Sequence, residues 1–170
     1  MLHKLTTLFE TLANTFPFLT FLFMPYYKAM VASEVSLASL KDRDHVLCIG
    51  GGPLPLTALL INKETNAHIT ILDVDQRACQ KAQKLIDKLN LKNTITVVHG
   101  CGKTVDLKPY SVVHIAKQVS PKSCVLTHVK THATKDTKVL VRYGKKHDPF
   151  SATVLTHTRK WVKSTCLYVV

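Results

Sequence analysis

The sequence predicts a three-layer α/β/α fold with a mostly parallel central sheet, and three observations carry the prediction. Short apolar runs of strand length alternate with helical segments between Val46 and Arg142; the first run breaks into Gly50-Gly51-Gly52 before a helix; and the second run ends in an acid, Asp73. Strands alternating with helices at such lengths build right-handed βαβ units and a parallel sheet. The arrangement expected is a Rossmann-like domain over 41–170. A short N-terminal helical cap or lid over 1–40 and an antiparallel edge hairpin at the C-terminus complete it, all in one compact unit.

The elements follow in order. Leu2 to Tyr27 reads as helical with a break near Pro17, and Lys28 to Leu40 as a second helix whose apolar side is Val31, Val35, Leu37 and Leu40. The polar turn Lys41 to Asp44 delivers the chain into the first strand, Val46 to Ile49. Leu54 to about Ile61 reads as the first crossover helix, with prolines in its first turn, where a missing N–H is tolerated. Ile69 to Leu72 is the second strand, and Gln76 to Leu89 a helix with Ala78, Ala82, Leu85, Ile86 and Leu89 at helical spacing. Ile95–Val98 and Ser111–Ile115 are strands three and four. A helix from about Pro121 to His132 leads to a fifth strand, Lys138–Arg142, and Thr153–Thr156 and Cys166–Val170 supply the edge hairpin.

Composition narrows the functional class. A chain of 170 residues, 46% apolar, suits one domain with a buried core. The apolar stretch Phe16 to Tyr27 is interrupted by Pro17 and Pro25 and is too short for a membrane span, so a packed helix, a lid or a homodimer contact is the expectation. Five scattered cysteines, with no Cys-x-x-Cys pair, suit reduced thiols in a cytoplasm. The net charge of +12 is lopsided: 10 basic against 8 acidic residues precede Cys101, and 13 against 3 follow from it. A basic half of this kind could meet nucleic acid, but the lysines are dispersed and no aromatic-interleaved RNA motif accompanies them, so a solvated surface is favoured.

The glycine turn carries the chemistry. Glycines there relieve a tight strand-to-helix turn whether or not a ligand binds, so the turn alone is weak evidence. Asp73 strengthens it, lying 23 residues past Gly50 at the end of the second strand, where a carboxylate accepts hydrogen bonds from ribose hydroxyls. Asp75 is the better cap for the following helix, which leaves Asp73 for a ligand. Pro53 and Pro55 remove amide donors that would cradle a pyrophosphate, and the third glycine of a dinucleotide loop is absent. An adenosine cofactor without phosphates fits, and S-adenosylmethionine (SAM) is the evident one.

The string Gly52-Pro53-Leu54-Pro55-Leu56-Thr57, preceded by Ile49-Gly50-Gly51, resembles the glycine loop of nicotianamine synthases. Further matches are Tyr26-Tyr27, Ser33 to Leu37, Asp73, and Ala116 through Pro121-Lys122, so the resemblance runs from about Tyr26 to Arg142. It implies a SAM site that includes Gly50, Gly51, Gly52, Pro53, Leu54, Asp73, Val74, Gly100, Cys101 and Ala116. It also implies catalytic roles for Glu34 and Tyr27 at the reacting end of SAM, Glu34 as a proton acceptor for an acceptor amine. The implied activity is transfer of the aminobutyrate or the methyl group of SAM to a small-molecule acceptor. An RNA methyltransferase and a SAM-binding protein without turnover are the alternatives. Where the family carries an acid after the third strand, this chain has Cys101 between two glycines, which leaves adenine recognition to backbone and apolar contacts. Cys124, His128 and His132 fall at i, i+4 and i+8 with Asp136 nearby, a spacing seen in metal pairs; no metal site is assigned to them, because exposed histidine pairs also arise by chance.

Overall fold

A computed structural model describes the backbone of residues 17–143, 160–162 and 165–170, and the side chains of 25–143 and 165–170. Its elements run α1 (Pro17–Ala38), β1 (His45–Ile49), α2 (Leu56–Thr65), β2 (His68–Asp73), α3 (Gln76–Lys88), β3 (Ile95–His99), β4 (Val112–Ile115), α4 (Lys122–His132), β5 (Lys138–Arg142), β6 (Lys160–Val162) and β7 (Thr165–Val169). The seven strands lie in the order β3-β2-β1-β4-β5-β7-β6. The pairs β1–β2, β2–β3, β1–β4 and β4–β5 are parallel, whereas β7 runs antiparallel to both β5 and β6. This is the Rossmann-like sheet that the sequence predicts, with the antiparallel pair at its C-terminal edge.

Strand alternation divides the core into two layers. Val46 and Cys48 of β1 face a layer with Val31, Ala58, Ile61, Ile71, Ile86, Leu140 and Leu167, beneath α1, α2 and α3. Leu47 and Ile49 face the other, with Val113, Ile115, Val125, Val129, Val141 and Tyr168, beneath α4. The strands β1, β4 and β5 are buried on both faces, which explains their largely apolar runs, broken in β4 by His114.

Three sequence expectations are corrected. The two N-terminal helices expected to meet near Lys28 are one helix, α1, with Pro25 inside it. Proline deletes one backbone donor, and 22 residues with a packed C-terminal half absorb that loss. Pro17 is the first described residue of α1. The helix after the glycine turn begins at Leu56, so Pro53 and Pro55 lie outside its first turn; Pro55 is the N-cap, at φ −81°. Finally, the partner of the last strand is β6 at Lys160–Val162, and the run Thr153–Thr156 lies outside the described residues. The side chains of the apolar stretch from Phe16 to Met24, expected in a packed helix, a lid or a homodimer contact, also lie outside them. Among the described residues no helix is long and apolar enough to cross a membrane.

Candidate active site

The carboxyl ends of four adjacent parallel strands bring the predicted binding residues into a row. Gly100 follows β3, Asp73 ends β2, Gly50 follows β1 and Ala116 follows β4, and all four are half-buried. Backbone bonds stitch the row together: the Gly100 amide donates to the Asp73 carbonyl (2.9 Å), the Gly50 amide to Leu72 (2.8 Å) and the Ala116 amide to Ile49 (3.1 Å). The chain turns one way from β1 to β2 and the other way from β4 to β5, so the Gly50 turn and Ala116 flank the switch point at which such sheets take ligands.

The glycines of the turn are there by steric necessity. Gly50 has φ +79° and Gly52 +67°, the left-handed region. A Cβ on Gly51 would collide with Ile71 Cγ2, and one on Gly50 would lie 2.6 Å from Val119 Cγ2. The turn is thus squeezed between β2 and the segment after β4, where the Gln118 side-chain amide also donates to the Gly50 carbonyl (3.0 Å). Asp73 braces it from beneath: Oδ2 accepts from the Gly52 amide (2.8 Å) and Oδ1 from the Asp75 amide (3.0 Å). Each oxygen keeps a lone pair free of these two bonds. Asp75 caps α3, accepting from the Arg77 and Ala78 amides, as expected of it. Pro53, Leu54 and Cys101 are half-buried around this edge, and the Val74 side chain beside Asp73 is 66% exposed.

On the α1 side of the same edge lies a buried polar cluster. Glu34 is 0% exposed, and Arg142, the last residue of β5, grips its carboxylate bidentately, Nε to Oε1 at 2.7 Å and Nη2 to Oε2 at 2.6 Å. Thr165 of β7 donates a hydroxyl to Oε1, and His114 Nε2 of β4 lies 3.5 Å from Oε2. The third arm of Arg142, Nη1, donates to Thr57 Oγ1 (2.7 Å) in the first turn of α2. Burial by itself would raise the Glu34 carboxyl, but His114 and the Arg142 guanidinium outweigh it and hold the group well below the usual carboxylate range. The His114 ring is itself pushed down by burial and by Arg142. Its Nε2 has no partner within hydrogen-bond geometry. Cys48 of β1 is close enough to feel both charges, and burial first of all pushes its thiol up to about 12.

With Oε1 accepting two bonds and Oε2 one, beside the His114 ring, Glu34 in this arrangement is an ion-pair partner. Tyr27 lies two helical turns before Glu34 and is half-buried against the core layer beneath α1.

The model of the nicotianamine synthase protein family matches residues 4–158, most of the chain. The chain belongs to this family. It is similar to the L-histidine 2-aminobutanoyltransferase of Yersinia pestis, 26% identical over 142 residues, 84% of this chain and 51% of the relative. Among solved structures, a mutant of MtNAS in complex with S-adenosylmethionine aligns with a TM-score of 0.75 at 18% identity, covering 95% of this chain and 66% of that one. An RNA methyltransferase from Salinibacter ruber in complex with S-adenosyl-L-homocysteine aligns at 0.65 and 14%, covering 82% and 88%. The chain therefore spans about half the length of the relative from Y. pestis.

For this nicotianamine synthase family chain, the structure adds residues that pattern reading passed over. Arg142, His114, Thr57 and Thr165 come from four elements and meet only around Glu34. A signal was available in the charged Arg142 ending the apolar strand Lys138–Arg142 and in His114 within Val112–Ile115, since each demands a buried partner. Lys122 is another such residue: its Nζ donates to the carbonyls of Ala116 (2.6 Å), Lys117 (3.2 Å) and Arg142 (2.9 Å), tying the segment after β4 to the end of β5. Burial, then Lys117, draws its pKa down to about 8, yet three acceptors match the three hydrogens of the ammonium form. The His128 and His132 rings stack at 4.5 Å, but His128 Nε2 bonds the Val105 carbonyl (2.8 Å) and His132 Nδ1 the His128 carbonyl (3.0 Å). Among the described residues no group of three His, Cys, Asp or Glu side chains is placed to hold a metal.

Proposed function

We propose that the chain is a SAM-dependent transferase that moves the aminobutyrate group of SAM to the amine of a small-molecule acceptor. The observation that carries the reading is the Gly50–Gly52 turn braced by Asp73 at the sheet's switch point, in a chain of the nicotianamine synthase family. The site fits an adenosine cofactor. Asp73 keeps lone pairs for two ribose hydroxyls, Gly50 and Gly51 let the turn pack closely against Val119 and Ile71, and Val74 offers exposed apolar area beside the ribose position. Half-buried Cys101 and Gly100 border the same end of β3 without a charge.

When bound, SAM supplies a sulfonium leaving group: the acceptor nitrogen bonds the carbon next to sulfur, the carbon–sulfur pair departs in methylthioadenosine, and the nitrogen loses a proton. The chain's own contribution is to bind and orient. Asp73 and the turn fix the nucleoside end, and rigid placement of the reacting carbon against the amine is worth several kcal/mol, on the order of 7 or more in well-aligned systems. The relative from Y. pestis, named for transfer to L-histidine, makes an amino acid the first acceptor to try.

A second reading, SAM binding without turnover, is favoured by one observation: the Glu34 carboxylate is closed off by Arg142 and Thr165. By-product analysis with SAM and amino-acid acceptors separates the readings. Methylthioadenosine supports the proposal and S-adenosylhomocysteine means methyl transfer, to a small molecule or, with RNA supplied, to RNA. Bound SAM with neither product leaves the binding protein.

A further inference from the structure

Arg142 reaches two elements at once. Nε and Nη2 hold Glu34 of α1, 108 residues away in sequence, while Nη1 holds Thr57 of α2, 85 residues away. Thr57 is the second residue of α2, one residue past the turn Gly50–Pro55. A planar guanidinium has donors pointing in three directions from one rigid body, so a shift of α1 at Glu34 is passed to the first turn of α2 without a soft joint.

We propose that Arg142 is a positioning residue for the cofactor turn: through Glu34 and Thr57 it ties the cap helix α1 to the start of α2 and so sets the turn that receives SAM. The inference rests on the cofactor site proposed above. Its alternative is that Arg142 serves only to neutralise Glu34 within the core. The two differ at Thr57, whose hydroxyl takes no part in the ion pair but is essential to the tie.

The charged and titratable groups around Glu34 come from every element packed on it: Arg142 from β5, His114 from β4 and Cys48 from β1, with Thr165 of β7 adding a neutral hydroxyl. Lys122 of α4 acts on His114. Arg142 is the one cation bonded to the carboxylate among the described residues, and the His114 ring and the guanidinium together hold the Glu34 carboxyl down against burial.

The test is SAM affinity by calorimetry on the full chain, measured well below its melting temperature, where a loss of stability alone does not change Kd. Thr57→Val is expected to weaken SAM binding about fivefold or more, and Thr57→Ser, which keeps the hydroxyl, to bind within about twofold of wild type. Arg142→Lys, which cannot reach Glu34 and Thr57 at once with a planar fork, is expected to weaken SAM binding as Thr57→Val does, and Thr57→Val/Arg142→Lys to weaken it little further. Wild-type affinity in Thr57→Val, or equal losses in the Val and Ser variants, would overturn the proposal. So would a folded Arg142→Lys protein that binds SAM as tightly as wild type does. If Arg142→Lys does not fold, the Thr57 pair alone decides. A wild-type chain that binds no SAM sinks the cofactor reading itself, whereas SAM binding indifferent to Thr57 sinks only this inference.

Discussion

Two carboxylates stand at the same edge of the sheet and are satisfied in opposite ways. Asp73 is half-buried and accepts from backbone amides of Gly52 and Asp75, 21 and 2 residues away. Glu34 is fully buried and accepts from side chains of Arg142 and Thr165, 108 and 131 residues away. Asp73 holds a turn by local geometry and retains capacity for a ligand. Glu34 is enclosed by long-range partners, and its charge is balanced within the core. A carboxylate bonded to backbone is placed by the turn it sits in; one bonded to side chains is placed by the whole fold, and losing any partner strands a charge.

The largest expected effect breaks the second arrangement. Arg142→Met leaves Glu34 buried without its cation and is expected to cost about 3–5 kcal/mol, read as a fall in Tm of about 10 °C or loss of soluble protein. Glu34→Met/Arg142→Met, which removes both charges at similar volume, is expected to recover most of that stability in the same melt. A double variant no more stable than the single would mean that the polar cluster itself specifies this packing.

Next comes the turn. Gly51→Ala drives a methyl into Ile71 Cγ2, and the overpacking is expected to cost about 1–3 kcal/mol in urea unfolding, with loss of SAM binding. Asp73→Asn sharpens the contrast: its amide nitrogen cannot accept from the Gly52 or Asp75 amide that it faces. About 1–2 kcal/mol of stability goes with that bond, while SAM affinity falls about tenfold or more. If the Asp73→Asn protein binds SAM normally, the carboxylate is only a brace. The smallest effect is Asp75→Ala, about 1 kcal/mol from the lost cap of α3, with SAM affinity unchanged.

The two regions also differ in pH response. Glu34 has a depressed pKa in the folded protein, so its contribution is fully present above the unfolded carboxylate value, about 4.3, and is lost only in strong acid. His114 adds a slope of its own. Its folded pKa is lowered, so as pH falls through the unfolded value of about 6.5 the unfolded chain takes up a proton that the folded chain refuses, and stability declines. A His114→Gln variant is expected to lose that decline, as measured by Tm between pH 5 and 8.

The order of strands and helices was open to sequence reading because each element carries its own signal: β-branched runs for β1, β2 and β4, helical spacing for α3, the Asp75 cap at its start. The Gly50–Gly52 turn and Asp73 were legible for the same reason, since both belong to one local βαβ unit. Glu34 was visible as a residue but not as half of a buried ion pair, because nothing near it in the chain tells that Arg142 and Thr165 will surround it. The continuity of α1 through Pro25 escaped for a related cause, as packing of its C-terminal half outweighs the local penalty of the proline.

What the sequence alone determined is thus the sheet-building pattern, the glycine turn and the acid that braces it, all decided by short-range sterics and hydrogen bonding. What only the tertiary structure decided is the state of Glu34. A buried carboxylate becomes a base, a ligand or half of an ion pair according to which groups meet it, and here the Arg142 charge and the Thr165 hydroxyl arrive on strands more than a hundred residues downstream.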